Sequence, residues 1–140
     1  MDPVSKNFIR MSVIYFAIAA VIGTQFMFTD HYLFIKNNSI QLLHAHTHLM
    51  LLGWMSMMIY GVGYHILPRF NGNPVAFPKL AVVHFWVANV ALIGLVSTWG
   101  LDRYEFSKIP EQVFAVLNAI GIFMFVINIL VSIKKPKEEA

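Results

Sequence analysis

The sequence predicts an all-α protein, a polytopic bundle of four transmembrane helices, and three observations carry that prediction. Charged residues are only 12% of the chain against 58% apolar, about half the charged share of an ordinary soluble domain. The mean hydropathy is +0.65. The charges gather at the two ends and in three short connections, leaving apolar runs at 9–28, 40–67, 77–99 and 113–133. Each is long enough for a bilayer core, which takes about 20 helical residues to cross.

The first run needs separating from a secretory leader, because Lys6 and Arg10 precede Ala17-Ile18-Ala19. The apolar part of a leader is about 7–15 residues long. Here it continues through Ala20, Val21, Ile22 and Phe26 to Phe28, so a retained helix is expected. The connection Asp30 to Ser39 follows, with Asn37-Asn38-Ser39 as a helix cap. The second helix is expected to stop before Pro68. The connection Pro68 to Pro78, with its turn-forming Asn71-Gly72-Asn73-Pro74, leads into the third helix. Gly100 to Pro110, carrying Asp102, Arg103, Glu105 and Lys108, joins the third helix to the fourth. With no internal repeat or low-complexity tract, 1–140 reads as one transmembrane domain.

Basic residues orient the bundle. With the N-terminus cytoplasmic, Lys6, Arg10, Arg69, Lys79, Lys134, Lys135 and Lys137 lie inside, against Lys36, Arg103 and Lys108 outside. Seven against three predicts both termini cytoplasmic in a multi-pass protein of the cell inner membrane. The net charge of +3 then reflects that bias and the anionic membrane lipid around it, and no nucleic acid partner is expected. Cysteine is missing, which excludes disulfides, thiolate metal sites and iron–sulfur clusters.

The chemistry concentrates in Leu43-His44-Ala45-His46-Thr47-His48. Histidines inside a span are costly unless paired, so a cluster there marks a candidate site for ligation or proton handling. At about 100° per residue, His44 and His48 share one helix face and His46 lies on the other. The three cannot converge on one metal ion. Below His46 on its face come Gly53, Met57, Tyr60 and Tyr64, and Gly53 removes side-chain bulk where a flat macrocycle could stand. Imidazole is a usual axial ligand of haem iron. The opposite face, with His44, His48, Met55, Met58 and His65, suits either a second metal-binding set or interhelical hydrogen bonding. His65 and His84 lie toward the other end, where a pair between them would bridge two helices. The 19 residues from His46 to His65 span about 28 Å, too far for one haem to use both.

The run His46-Thr47-His48-Leu49, through Gly53, to Gly61-Val62-Gly63-Tyr64-His65-Ile66-Leu67-Pro68-Arg69 resembles the second helix of the haem–copper oxidase catalytic subunit, above all its cbb3-type and nitric-oxide-reductase-like branches. Ala76-Phe77-Pro78-Lys79-Leu80 and His84-Phe85-Trp86 resemble that family's entry into its third helix. The resemblance is strongest over Ser39 to Trp99. It implies that His46 stands at the low-spin haem ligand position and that His84 stands at a position that is not a ligand. It also implies a short, four-helix relative of the first third of the subunit, without the later helices that hold copper and the active-site haem, and so not an autonomous oxidase. The expected function is a membrane cytochrome b that holds haem b at His46, with His44, His48, Gly53, Met57 and Tyr60 around the cofactor. It would transfer electrons with a respiratory donor or acceptor, or bind a diatomic gas. Small and polar stripes at Ala88, Ala91 and Gly94, and at Asn118, Gly121 and Asn128, together with the family's threefold arrangement of helices, predict a homo-oligomer, a trimer ahead of a dimer. The alternative is a non-haem transition-metal protein using His44 and His48, or an accessory membrane subunit of a respiratory complex.

Overall fold

The computed structural model describes residues 1–26, 39–70, 72–101 and 108–134, apart from the side chains of residues 39, 100 and 101. Most of the Asp30 to Ser39 connection, with His31 and its proposed cap, lies outside the described residues, as do Asn71 and the 102–107 stretch before the fourth helix. The helices are α1 (Pro3–Gln25), α2 (Ser39–His48), a π-helical segment (Leu49–Ser56), α3 (Met57–Phe70), α4 (Pro78–Leu101) and α5 (Ile109–Ser132). α2, the π segment and α3 run end to end, so the described residues form four helices long and apolar enough to span a bilayer.

The first helix begins six residues earlier than the hydropathy pattern suggests. Asp2 is extended and its carboxylate accepts from the Ser5 N–H at 3.0 Å and the Ser5 hydroxyl at 2.7 Å, while Pro3 opens the first turn. A capping carboxylate and a proline with no N–H to satisfy are strong helix starts, and they outweigh the local polarity of Lys6. The second span runs past its expected end at 67, with Pro68 buried inside α3. The helix stops two residues later, where Gly72 takes φ +68° and the Asn73 N–H reaches back to the Pro68 carbonyl at 3.0 Å. That is a left-handed C-terminal cap, which glycine adopts without strain. α5 also starts early, at Ile109, with Pro110 in its first turn and Glu111 beside its positive N-terminal end.

The π segment has no counterpart in the apolar pattern. Its hydrogen bonds run five residues back, and the Ser56 hydroxyl also donates to the Leu51 carbonyl at 2.8 Å. A wider turn of this kind rotates everything below it relative to α2.

One end of the bundle gathers Asp2, the end of α3, the start of α4 and the end of α5. Asn128 holds the Phe77 backbone with both amide atoms, accepting from its N–H at 3.1 Å and donating to its carbonyl at 2.9 Å. The Ser132 hydroxyl accepts from the Ala76 N–H at 2.9 Å, and Asn73 donates to the Ser132 and Lys134 carbonyls. These bonds satisfy the polar groups that the 68–78 connection brings to the membrane boundary. The opposite end holds the end of α1, the histidines of α2, the end of α4 and the start of α5. The bundle is therefore up-down-up-down. Its core is Phe8, Tyr15, Ala19, Leu49, Met57, Tyr60, Tyr64, Ala88 and Leu92. The outer faces of α1 and α5 leave Val13, Val21, Val116, Phe123 and Leu130 exposed, as lipid contact requires. The chain is an integral membrane protein. Ala88, Ala91, Gly121 and Asn128 are buried within this single chain, while Gly94 and Asn118, the other members of the small and polar stripes, are half-buried.

Candidate functional site

α2 sends its histidines to two different neighbours. The His46 ring turns toward α1, where Nδ1 lies 2.9 Å from the Ala19 carbonyl oxygen. A carbonyl only accepts, so Nδ1 is the donor, and Nε2 is the nitrogen left to act as a ligand. Gly23, one turn beyond Ala19, makes room for the ring: a Cβ there would stand 2.7 Å from His46 Cε1 and 3.5 Å from Nε2. Phe26 meets the ring edge-on, with centroids 5.9 Å apart.

His44 and His48 turn the other way and stack on Trp99 of α4, with ring centroids 5.7 and 4.6 Å from it. His48 Nδ1 lies 2.9 Å from the His44 carbonyl and so donates to it, leaving its own Nε2 bare. Trp99 in turn donates from Nε1 to Glu111 at 3.2 Å. Among the described residues no group of three or more histidine, aspartate or glutamate side chains is placed to hold a metal ion.

Below the cluster, Gly53 faces two neighbouring spans. A Cβ there would lie 2.8 Å from Tyr15 Cβ and 3.1 Å from Leu92 Cδ2, so the space is already filled by α1 and α4. Met57 is 1% exposed in the same core. Tyr60 packs edge-on against Phe8 at 5.6 Å and against His84 at 4.6 Å. These three side-chain positions hold the bundle together beneath His46, because the helix face that carries them is the one packed against the other spans.

His65 and His84 do not pair. His65 Nδ1 accepts from the Arg69 guanidinium and lies 3.9 Å from the Asp2 carboxylate at the surface. His84 is fully buried, and its Nδ1 is 3.1 Å from the Tyr64 hydroxyl. Its Nε2 is buried without a hydrogen-bond partner among the described residues. Phe8, Tyr60 and Phe125 enclose the ring at 4.6 to 6.0 Å, which leaves a macrocycle no approach to that nitrogen. Of the functional candidates, Ala19 and Gly23 were missed by sequence reasoning. A backbone carbonyl leaves no trace in the sequence, but Gly23, the one glycine of the first span, is a readable signal.

Of the donors in the cluster, His46 is the one whose ring is oriented by a backbone carbonyl on a neighbouring span, the kind of support that metal-ligating histidines usually have. The cluster does not fit a multi-ligand metal centre within the described chain. Residues 4–140 match the family described as Cytochrome C and Quinol oxidase polypeptide I. No curated protein and no solved structure matches the chain. The four spans, the histidine-bearing second span and the match over nearly the whole sequence agree, and the chain belongs to the Cytochrome C and Quinol oxidase polypeptide I family, the haem–copper oxidase subunit I.

Proposed function

We propose that this membrane protein binds haem b through His46 and serves in electron transfer or in binding a diatomic gas. The observation that carries the reading is the His46 Nδ1 to Ala19 carbonyl bond of 2.9 Å, which leaves Nε2 as a free, oriented ligand. Members of the family bind haem. With no cysteine in the chain, thioether attachment is excluded and the haem would be held non-covalently. When bound, the haem supplies one-electron chemistry or a gas-binding iron. The chain's own residues do the rest. The Ala19 carbonyl orients the imidazole, Gly23 admits the ring, and α2 keeps His44 and His48 away on Trp99. A second axial ligand would come from a second copy, a gas or water.

The seven-to-three bias of basic residues supports a cell inner membrane location with both termini cytoplasmic, and hence a His46 site at the outer end. Cysteines introduced at Asn37 and Asn71 test this: an impermeant reagent on intact cells should label Asn37→Cys only. A homo-oligomer, trimer or dimer, would use exposed apolar faces of the spans, such as Ile59 and Val62, Trp86 and Val90, or Val116 and Phe123. Mass measurement in mild detergent decides it, and a haem-loaded monomer sinks it.

The spectrum is the direct test of the cofactor. Protein expressed with ample haem supply and reduced with dithionite should show a Soret band and a pyridine haemochrome of the b type. Neither band, with copper or zinc bound and lost in a His44→Ala, His48→Ala double variant, gives the site to a non-haem metal. Neither haem nor metal, with other subunits co-purifying, gives an accessory subunit.

A further inference from the structure

At the end of the bundle away from His46, the start of α1, the end of α3 and the start of α4 enclose a cavity of about 410 Å³. Its walls are apolar, formed chiefly by Val4, Pro68, Val75, Pro78 and Val82, and its rim carries Arg69, Lys79 and Asp2. The depth is what identifies the occupant. Arg69 lies one residue from the end of the second span, Ile40–Phe70, and Lys79 one residue inside the third, Pro78–Trp99, so the cavity opens at the membrane boundary where lipid headgroups lie.

The rim charge favours an anion. Asp2 faces it, but that carboxylate is engaged by the Ser5 N–H and hydroxyl at 3.0 and 2.7 Å and lies 3.9 Å from His65. Arg69, whose guanidinium also donates to the His65 ring and carbonyl, and Lys79 leave the rim with two cations against one carboxylate, and Lys79 is the second residue of α4, where the helix end adds positive potential. A free phosphate would satisfy the cations and leave the valine and proline walls wet. A phospholipid satisfies both parts, its phosphate at the rim and its glycerol and upper acyl carbons against the walls. Basic pockets between spans are recognised sites for anionic headgroups.

We propose that this cavity is a specific site for one anionic phospholipid, with the phosphate held by Arg69 and Lys79. The site is independent of the haem reading, and its test needs no haem. The full chain in mild detergent is titrated with dioleoylphosphatidylglycerol or dioleoylphosphatidylcholine and examined by native mass spectrometry. One phosphatidylglycerol should be retained where phosphatidylcholine is not. The Arg69→Gln, Lys79→Gln double variant should weaken retention about ten-fold or more, since each basic residue contributes substantially to holding anionic lipid. Lys6→Gln, which removes a charge from the same end outside the cavity, should retain it. Val82→Trp, which fills the cavity from a lipid-exposed position and leaves the rim charges in place, should block it, and it decides the matter if the double variant does not fold. Equal retention of both lipids, equal loss in Lys6→Gln and the double variant, or unchanged binding in Val82→Trp would overturn the proposal. So would displacement of the lipid by glycerol phosphate at equal concentration, because the walls would then contribute nothing.

Discussion

The His46 imidazole is tied to α1 at two points, the Ala19 carbonyl 2.9 Å from Nδ1 and the bare flank of Gly23 against Cε1. The orientation of the proposed ligand is therefore set by a helix distant in sequence. Gly23→Val should displace the ring without removing it and weaken haem affinity about ten-fold, the lower end for lost support of a metal-bound histidine. His46→Ala should abolish binding, and added imidazole should restore part of the Soret band. Haem titration of the apoprotein measures both. Wild-type affinity in Gly23→Val would mean the Ala19 contact has no part in the site.

Gly53 tests the separation between site and scaffold. Its missing Cβ is the space used by Tyr15 and Leu92, so Gly53→Ala overpacks the contact of three spans. Such overpacking costs about 1–3 kcal/mol. The thermal midpoint in detergent should fall, while haem per folded protein stays unchanged. A normal midpoint with lost haem would return Gly53 to the cofactor's side.

The spans could be read from hydropathy because a bilayer imposes length and apolarity on any helix that crosses it. Their ends could not, because caps decide them: Asp2 and Pro3 carry α1 out past Lys6, and Gly72 lets α3 run through Pro68. The division of His46 from His44 and His48 was legible, since α2 is a regular helix and its angles hold. The π segment was not, because a five-residue hydrogen-bond step is set by tertiary packing and leaves no period in an apolar run. What lies against Gly53 was not legible for a related reason. Sequence shows that a side chain is missing but does not show what fills the gap.

Tyr64 and His84 form a polar pair inside an aromatic cage, 3.1 Å apart. Tyr64→Phe leaves the second ring nitrogen of His84 without its partner as well. An unmade buried hydrogen bond costs about 1–3 kcal/mol, so the midpoint should fall. Adding His84→Leu to that variant should recover much of the loss, because the cage is otherwise apolar, and a double-mutant cycle reads the coupling. Simple additivity of the two losses would show that the pair is not coupled.

Asp2 gives the fold an acid-sensitive end. Burial pushes its carboxyl up, but hydrogen bonds from the Ser5 N–H and hydroxyl and its own backbone, with His65 nearby, outweigh this and hold it below the ordinary 3.8. A lowered carboxylate adds stability above its ordinary value, and that stability disappears as pH falls through the lower value it has in the fold. The midpoint of the wild-type protein should therefore drop on acidification below 3.8, with solvent screening keeping the effect small at this partly exposed position. Asp2→Asn keeps a capping oxygen and removes the charge, so its midpoint should vary less with pH over the same interval. Asp2→Ala also loses the cap and should be less stable at neutral pH, by about 0.5–2 kcal/mol for an N-cap. Thermal melts of the three proteins across the acid range check the sign. A wild-type midpoint that rises on acidification through that interval, with Asp2→Asn flat, would mean that the carboxylate opposes folding there.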